Sequence, residues 1–427
     1  MDSWRSDPGT SAASVRPGLG VVLAALCVTE IVSWGLLYYM FPVLVPTITA
    51  NTGWSPVAVT AAFSAALVVS ALVGVPAGRI IDRHGPRLIM TAGSMLGVLA
   101  LVVVATAPSL SVFVAGWVLA GAAMAGVLYP PAFAAITGWF TTGRLGALAT
   151  LTLVAGLAST VFAPLTATIN ALVGWRDAYL WAAVVLAILT IPVHGFLLRR
   201  PWPARDTAAT VEPAAEKAYA STVVGSVRFW LLSAGLTIVS LAMYAGLLAV
   251  VPLMLERGLT TEMAAWVLGL GGLGQVAGRL VYTVLAHRAS LMLRTALVFG
   301  LVTVSTAALA VVPGPVWLLI AMSMFAGVGR GIATLLQATA ITDRWGPRAY
   351  GHLSGILGMP VLLAAASAPW AGTVLAEVSG SYASAYVALA GLAGVGAVLL
   401  IVGTRAGQPE PESRHGSMSG NVPDTLE

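Results

Sequence analysis

What most constrains this chain is a series of apolar stretches about 20 residues long, separated by short polar or turn-forming gaps. A helix needs about 20 mostly apolar residues to cross a bilayer, and in hydrocarbon the backbone must satisfy its own hydrogen bonds. Twelve stretches qualify: 19–45, 56–78, 88–107, 110–135, 145–170, 177–198, 229–254, 262–286, 293–312, 315–340, 349–377 and 382–404. Two of the gaps, at Pro108-Ser109 and Pro313-Gly314-Pro315, are tight turns. Composition agrees, with 58% hydrophobic and 9% charged residues and a mean hydropathy of +0.92. A soluble chain carries about 25% charged residues. A soluble enzyme, a disordered chain and a nucleic-acid binder are therefore excluded. The chain reads as an all-α polytopic membrane protein, with the lipid bilayer as its first partner.

One cysteine, Cys27, allows no intrachain disulfide and sits in an apolar run as a small hydrophobe. The first stretch is too long for a signal-peptide core, and no small-x-small cleavage site follows it. It is expected to be a retained spanning helix.

Twelve spans place both ends of the chain on one side. Sorted by side, 17 basic residues fall in gaps on that side, while Arg176 and Arg257 alone fall in gaps on the other. By the positive-inside rule this predicts both termini in the cytoplasm and residence in the plasma (inner) membrane. One missed helix would have scrambled the alternation.

The longest interior polar segment, 201–227, is rich in Ala, Pro and charge and reads as a cytoplasmic linker. It divides the chain into a tail (1–17), a six-helix bundle (18–200), the linker, a second six-helix bundle (228–404) and a tail (405–427). The halves echo each other at an offset of about 205 residues. Gly174-Trp175-Arg176-Asp177-Ala178-Tyr179 before span six answers Gly380-Ser381-Tyr382-Ala383-Ser384-Ala385-Tyr386 before span twelve. Arg144 opens span five as Arg348 opens span eleven, and Arg83 answers Arg288. Two pseudo-symmetric bundles of this kind point to a secondary transporter, with a substrate site where they meet.

Between spans two and three the chain reads Gly78-Arg79-Ile80-Ile81-Asp82-Arg83-His84-Gly85-Pro86-Arg87. This resembles the G-x-x-x-D-R-x-G-x-R signature of the major facilitator superfamily at every defined position. The resemblance covers nearly the whole chain. It implies alternating access, with Gly78, Asp82, Arg83, Gly85, Arg87, Arg144 and Arg348 forming a conformational latch at the cytoplasmic helix ends. Charge-assisted bonds there would hold one state, although basic residues at that end also satisfy topology by themselves. The second copy is degenerate, with Thr283 for the glycine and His287 for the aspartate. Within the superfamily, Gly53-Trp54-Ser55, Gly278-Arg279 and the aromatic span one (Trp34, Tyr38, Tyr39, Phe41) resemble the oxalate/formate and monocarboxylate porters. Gln275 departs from them, where those porters carry an aspartate.

An ionisable group at a spanning helix's centre costs about 2.5–3.5 kcal/mol, so such groups are candidates for function. Glu30 in span one, Arg279 in span eight and Arg330 in span ten stand out. The family fold implies that spans one, four, seven and ten line a central cavity. Glu30 is then the candidate for proton coupling, pairing with Arg330 or exchanging partners; a fixed structural ion pair is the alternative. Arg330 and Arg279 are candidates for binding an anionic substrate, since a guanidinium fork matches a carboxylate. Arg279 is otherwise close enough to the cytoplasmic end to snorkel. Trp34, Tyr38, Tyr39, Tyr129, Tyr244, Thr334 and Gln337 are further wall candidates, and His194 and His352 read as interfacial.

The leading expectation is a transporter of a small, monocarboxylate-like organic anion, coupled to protons or working by exchange. The alternative is proton-driven efflux of drugs or other hydrophobic compounds, although Leu119–Gly126 lacks the arginine of the efflux signature. No HExxH, nucleotide-binding loop or Cys/His cluster suggests an enzyme. No cofactor, metal or nucleic-acid partner is expected, and the chain is expected to act as a monomer.

Overall fold

The computed structural model describes residues 18–203, 213–346 and 348–405. The tail 1–17, the tail beyond Arg405, the middle of the linker and the side chains of Thr283 and His287 lie outside the described residues. Among the described residues there is no strand.

Polar gaps start helices because their Ser and Thr side chains accept orphan backbone N–H groups. Ser55 accepts from Ala58 at 3.2 Å, Ser226 from Phe229 at 3.3 Å and Thr260 from Met263 at 3.3 Å. Among the described residues, eleven continuous helical stretches are long and apolar enough to span a bilayer. One of them, Arg144–Leu197, bends at Gly174 (φ 81°, ψ 168°) and is two spans. The total is the expected twelve. Gly380 turns the chain between spans eleven and twelve at φ 81°. A side chain at either left-handed position would add strain, which explains why both repeat anchors are glycines.

The spans are Leu19–Thr52, Pro56–His84, Pro86–Thr106, Leu110–Trp139, 144–173, 175–197, Val227–Glu256, Thr261–Arg288, Leu291–Val311, Val316–Thr339, Tyr350–Ser379 and Tyr382–Arg405. Several run past the apolar stretches. Span one continues to Thr52, span two to His84 and span eight to Arg288. Apolarity measures the hydrocarbon thickness, whereas a helix can continue into water.

The two basic residues of the sparsely charged end cap helices. Arg176 donates to the Ala105 and Ala107 carbonyls at 2.7 and 3.0 Å, at the end of span three. Arg257 donates to the Leu309 and Ala310 carbonyls at the end of span nine. Glu256 accepts from the Tyr382 and Ala383 N–H groups at 2.7 and 3.2 Å, starting span twelve.

The expected polar linker is more ordered than its composition suggests. Pro213–Val224 is a helix that buries Ala220 and Val223 against the second half, and the Tyr219 hydroxyl donates to the Trp345 carbonyl at 2.8 Å. At the other end, Trp202 packs over Gly85 and Gly138, and its indole donates to the Asp82 carbonyl at 3.1 Å.

The halves join at one end. A single apolar cluster there takes in Leu37–Ile48 of span one, Phe63 of span two, Leu247–Met254 of span seven and Ala264–Leu268 of span eight. At the basic end the clusters are separate: Val22, Met90 and Trp139 belong to one half, Phe229, Phe299 and Leu353 to the other. Small residues let helices approach closely within each half. A Cβ on Gly327 or Gly331 would meet span eight's backbone, and one on Gly93 would meet span four. Gly74 and Gly78 of span two and Gly351 and Gly355 of span eleven face open space. The seam is thus sealed at the sparsely charged end and parted at the basic end.

Candidate functional site

Span one is irregular where the site forms. Gly35–Tyr39 is a π-helical turn, a feature common at functional sites because it re-aims side chains. Gly35 is needed there, since a Cβ would lie 2.2 Å from the Phe162 ring of span five. Span four is broken at Leu128, and Tyr129 begins its second segment above Pro130 and Pro131.

Glu30 is fully buried. Its Oε2 accepts a hydrogen bond from the Trp34 indole at 3.0 Å, and its Oε1 has no partner among the described residues. The expected Glu30–Arg330 pair is not formed. Arg330 approaches span one at Tyr38 and Tyr39, eight or nine residues, or about 12 Å, farther along the helix. Glu30 therefore meets an indole instead of a guanidinium.

Arg330 is nine-tenths buried and lies among Tyr39, Tyr244 and Tyr386. Beside it is a void of about 20 Å³ lined in part by Ser305, Thr306, Ser323 and Tyr386, large enough for one water-sized group. Those hydroxyls donate to backbone carbonyls, which leaves their oxygens able to accept. Tyr386 was legible only as a repeat anchor.

Arg279 does not snorkel. Its guanidinium crosses the seam and donates to the Thr152 carbonyl of span five, passing Gly156. The Tyr129 hydroxyl lies beside it. Thr152 and Gly156 had no chemical signal in the sequence, because a carbonyl and a missing side chain carry none.

The aromatic candidates divide into a wall and a plug. Trp34, Tyr129 and Tyr244 are half-buried, and Trp34 sits 5.0 Å from Tyr129, which stacks on Phe133 at 5.1 Å. Phe133 was missed because one Phe in an apolar run looks like packing. Tyr38 and Tyr39 are buried, with Tyr39 beside Arg330. Tyr38 packs on Phe63 at 5.4 Å, which stacks on Phe41 at 4.1 Å, within the seal. Thr334 and Gln337 are half-buried on span ten, and the Thr334 hydroxyl bonds the Gly331 carbonyl at 2.8 Å.

The latch candidates lie at the basic end. Gly78, Asp82, Arg83 and Arg144 are exposed. Gly85 has φ 80° and holds the turn beneath Trp202. Arg87 donates to the Gly195 carbonyl at 2.9 Å within its own half, and Arg348 lies 4.8 Å over the Tyr219 ring of the linker helix. His352 is exposed, as an interfacial residue would be. His194 is not interfacial: it is buried, with Nδ1 2.8 Å from the Ser94 hydroxyl. No His/Cys/Asp/Glu group able to hold a metal occurs among the described residues.

The family model of the Major Facilitator Superfamily matches residues 26–315. The chain belongs to the Major Facilitator Superfamily. It is a multi-pass membrane protein and a secondary transporter of that type, which points away from enzymatic function. A bacterial homologue of the human lysosomal transporter Spinster, solved inward-facing and unoccupied, is similar in fold: TM-score 0.71 and 16% identity over 91% of this chain and 97% of that one. The nucleoside transporter NupG also matches, with TM-score 0.69 and 11% identity over 90% of this chain and 99% of the other. At such identities the likeness concerns the fold. A curated relative from Thermoproteus tenax, described as an uncharacterized 38 kDa protein in the 23S RNA operon, is 30% identical over 159 residues, 37% of this chain. The chain spans 41% of that relative's length.

Proposed function

We propose that this Major Facilitator Superfamily transporter moves a small organic anion, of monocarboxylate type, by proton-coupled alternating access or exchange. The observation that carries the reading is the pair of guanidinium groups at the seam, Arg279 and Arg330. Neither has a carboxylate partner among the described residues. A buried cation without a counter-charge costs several kcal/mol, and an anionic substrate would offset that cost at Arg330. Arg279 presents a planar fork beside the half-buried Tyr129, against which Trp34 packs, and this suits a carboxylate with an apolar body.

Glu30 is the proton carrier in this reading. A dry carboxylate with one unpartnered oxygen is costly when ionised, so the proton resides on it in this state and leaves when the seam rearranges. The basic end is the cytoplasmic face, which makes this arrangement inward-open. The latch at Asp82, Arg83 and Arg348 acts when that end closes, and the chain works as a monomer in the plasma membrane. Efflux of hydrophobic compounds is the second reading, favoured by the aromatic wall alone.

A thermal-shift screen of purified protein across monocarboxylates, dicarboxylates, sugars and hydrophobic cations tests the reading. Saturable stabilisation by monocarboxylates is expected. Stabilisation by cations alone would refute it in favour of efflux.

A further inference from the structure

At the basic end of the second half, three arginines meet from different elements. Arg228 opens span seven, Arg294 opens span nine, and Arg344 lies on the short helix Thr342–Trp345 after span ten. Asp343 pairs with Arg294 at 3.5 Å and accepts from the Thr339 hydroxyl at 2.9 Å. Arg344 donates to the Ala340 carbonyl at 3.2 Å and to the Thr404 hydroxyl of span twelve at 3.0 Å, and Arg228 lies 5.4 Å over the Trp345 ring. The Nε atoms of all three arginines are buried without a hydrogen-bond partner among the described residues. Burial, followed by the Arg228 charge, brings Arg344 down to about 10; Asp343 only partly compensates, and Arg294 adds to the fall.

Topology does not call for this arrangement. The positive-inside rule needs cations beside water, not three guanidinium groups with half-dry stems. Nor does the fold. At the repeat offset of about 205 residues, the first half carries Leu23, Ile89 and Trp139, and Leu23 and Trp139 pack in an apolar cluster with Val22, Leu26 and Met90. The second half has replaced a closed apolar mouth with excess positive charge. Around that mouth, Val227 is 74% exposed, Trp230 52% and Leu293 49%, a rim suited to the edge of the hydrocarbon. Basic pockets between spans on the cytoplasmic side suit lipid phosphate groups.

We propose that Arg228, Arg294 and Arg344 form a binding site for the phosphate of an anionic lipid headgroup. The terminal guanidinium nitrogens hold the phosphate, while the acyl chains lie along the exposed apolar rim. The site is separate from the seam between the halves and does not depend on the transported substrate.

The test uses delipidated full-length protein melted with dihexanoyl-phosphatidylglycerol, dihexanoyl-phosphatidylcholine or inorganic phosphate at equal ionic strength. Phosphatidylglycerol should raise Tm saturably and phosphatidylcholine should not. Arg228→Gln and Arg344→Gln should each raise the half-saturating concentration about fivefold. Equal stabilisation by the two lipids, or unchanged half-saturation in both variants, overturns the site. An equal shift with inorganic phosphate alone assigns the pocket to free phosphate and overturns the lipid reading. Should Arg344→Gln fail to fold, Arg228→Gln decides the matter alone.

Discussion

Replacing Glu30 by Gln keeps an amide oxygen for the Trp34 indole and removes only the proton that can be exchanged. In proteoliposomes, Glu30→Gln should abolish uptake driven by a pH gradient while leaving substrate exchange intact. Uptake that still follows the gradient would sink the coupling role. Arg279 makes a different prediction. Lys keeps the charge but loses the planar fork, so Arg279→Lys should weaken substrate affinity about 10- to 100-fold, read as a raised KM in transport. At this scale the sequence revealed that Glu30, Arg279 and Arg330 were costly, but not whom they met. The expected Glu30–Arg330 pair failed because position along span one depends on how the halves slide, which no spacing within one helix encodes.

Helix packing depends on missing side chains as much as on those present. Spans eight and ten approach so closely that a Cβ on Gly331 would sit 2.1 Å from the Gln275 carbonyl. Gly331→Ala should therefore lower stability by about 1–3 kcal/mol, the usual cost of overpacking, measurable as a fall in Tm. Gly355→Ala, facing open space, should change stability by less than about 0.5 kcal/mol. The two glycines look alike in sequence, as parts of small-xxx-small pairs. The twelve spans were readable from apolar length, and Gly174 and Gly380 as repeat anchors; the caps and the turns at those glycines came from the structure. The π-turn at Gly35–Tyr39 was not, because it answers the Phe162 ring of another helix.

Across the whole molecule, one shared apolar cluster at the sparsely charged end and two separate clusters at the basic end define the captured state. The only native cysteine, Cys27, is buried, so single-cysteine labelling reads this asymmetry directly. A membrane-impermeant maleimide applied to the basic face should label Gly78→Cys and Gly355→Cys readily and Thr373→Cys, buried toward the other end of span eleven, about tenfold or more slowly. Comparable rates at all three positions would contradict an opening at the basic end. Conditions that close this end should protect the first two positions.

The sequence by itself determined the membrane class and the twelve spans, because apolar length and charge placement report directly on the bilayer, and the resemblance of Gly78–Arg87 to a family signature pointed to the family. It also narrowed the chemistry to three intramembrane ions. Only the tertiary structure decided which end is sealed, that Tyr38 and Tyr39 are buried, that Arg279 crosses the seam, and that Glu30 rests on Trp34. Those outcomes depend on how two independently legible bundles lie against each other. That relation is set by surface fit between distant residues, which no single stretch of sequence encodes.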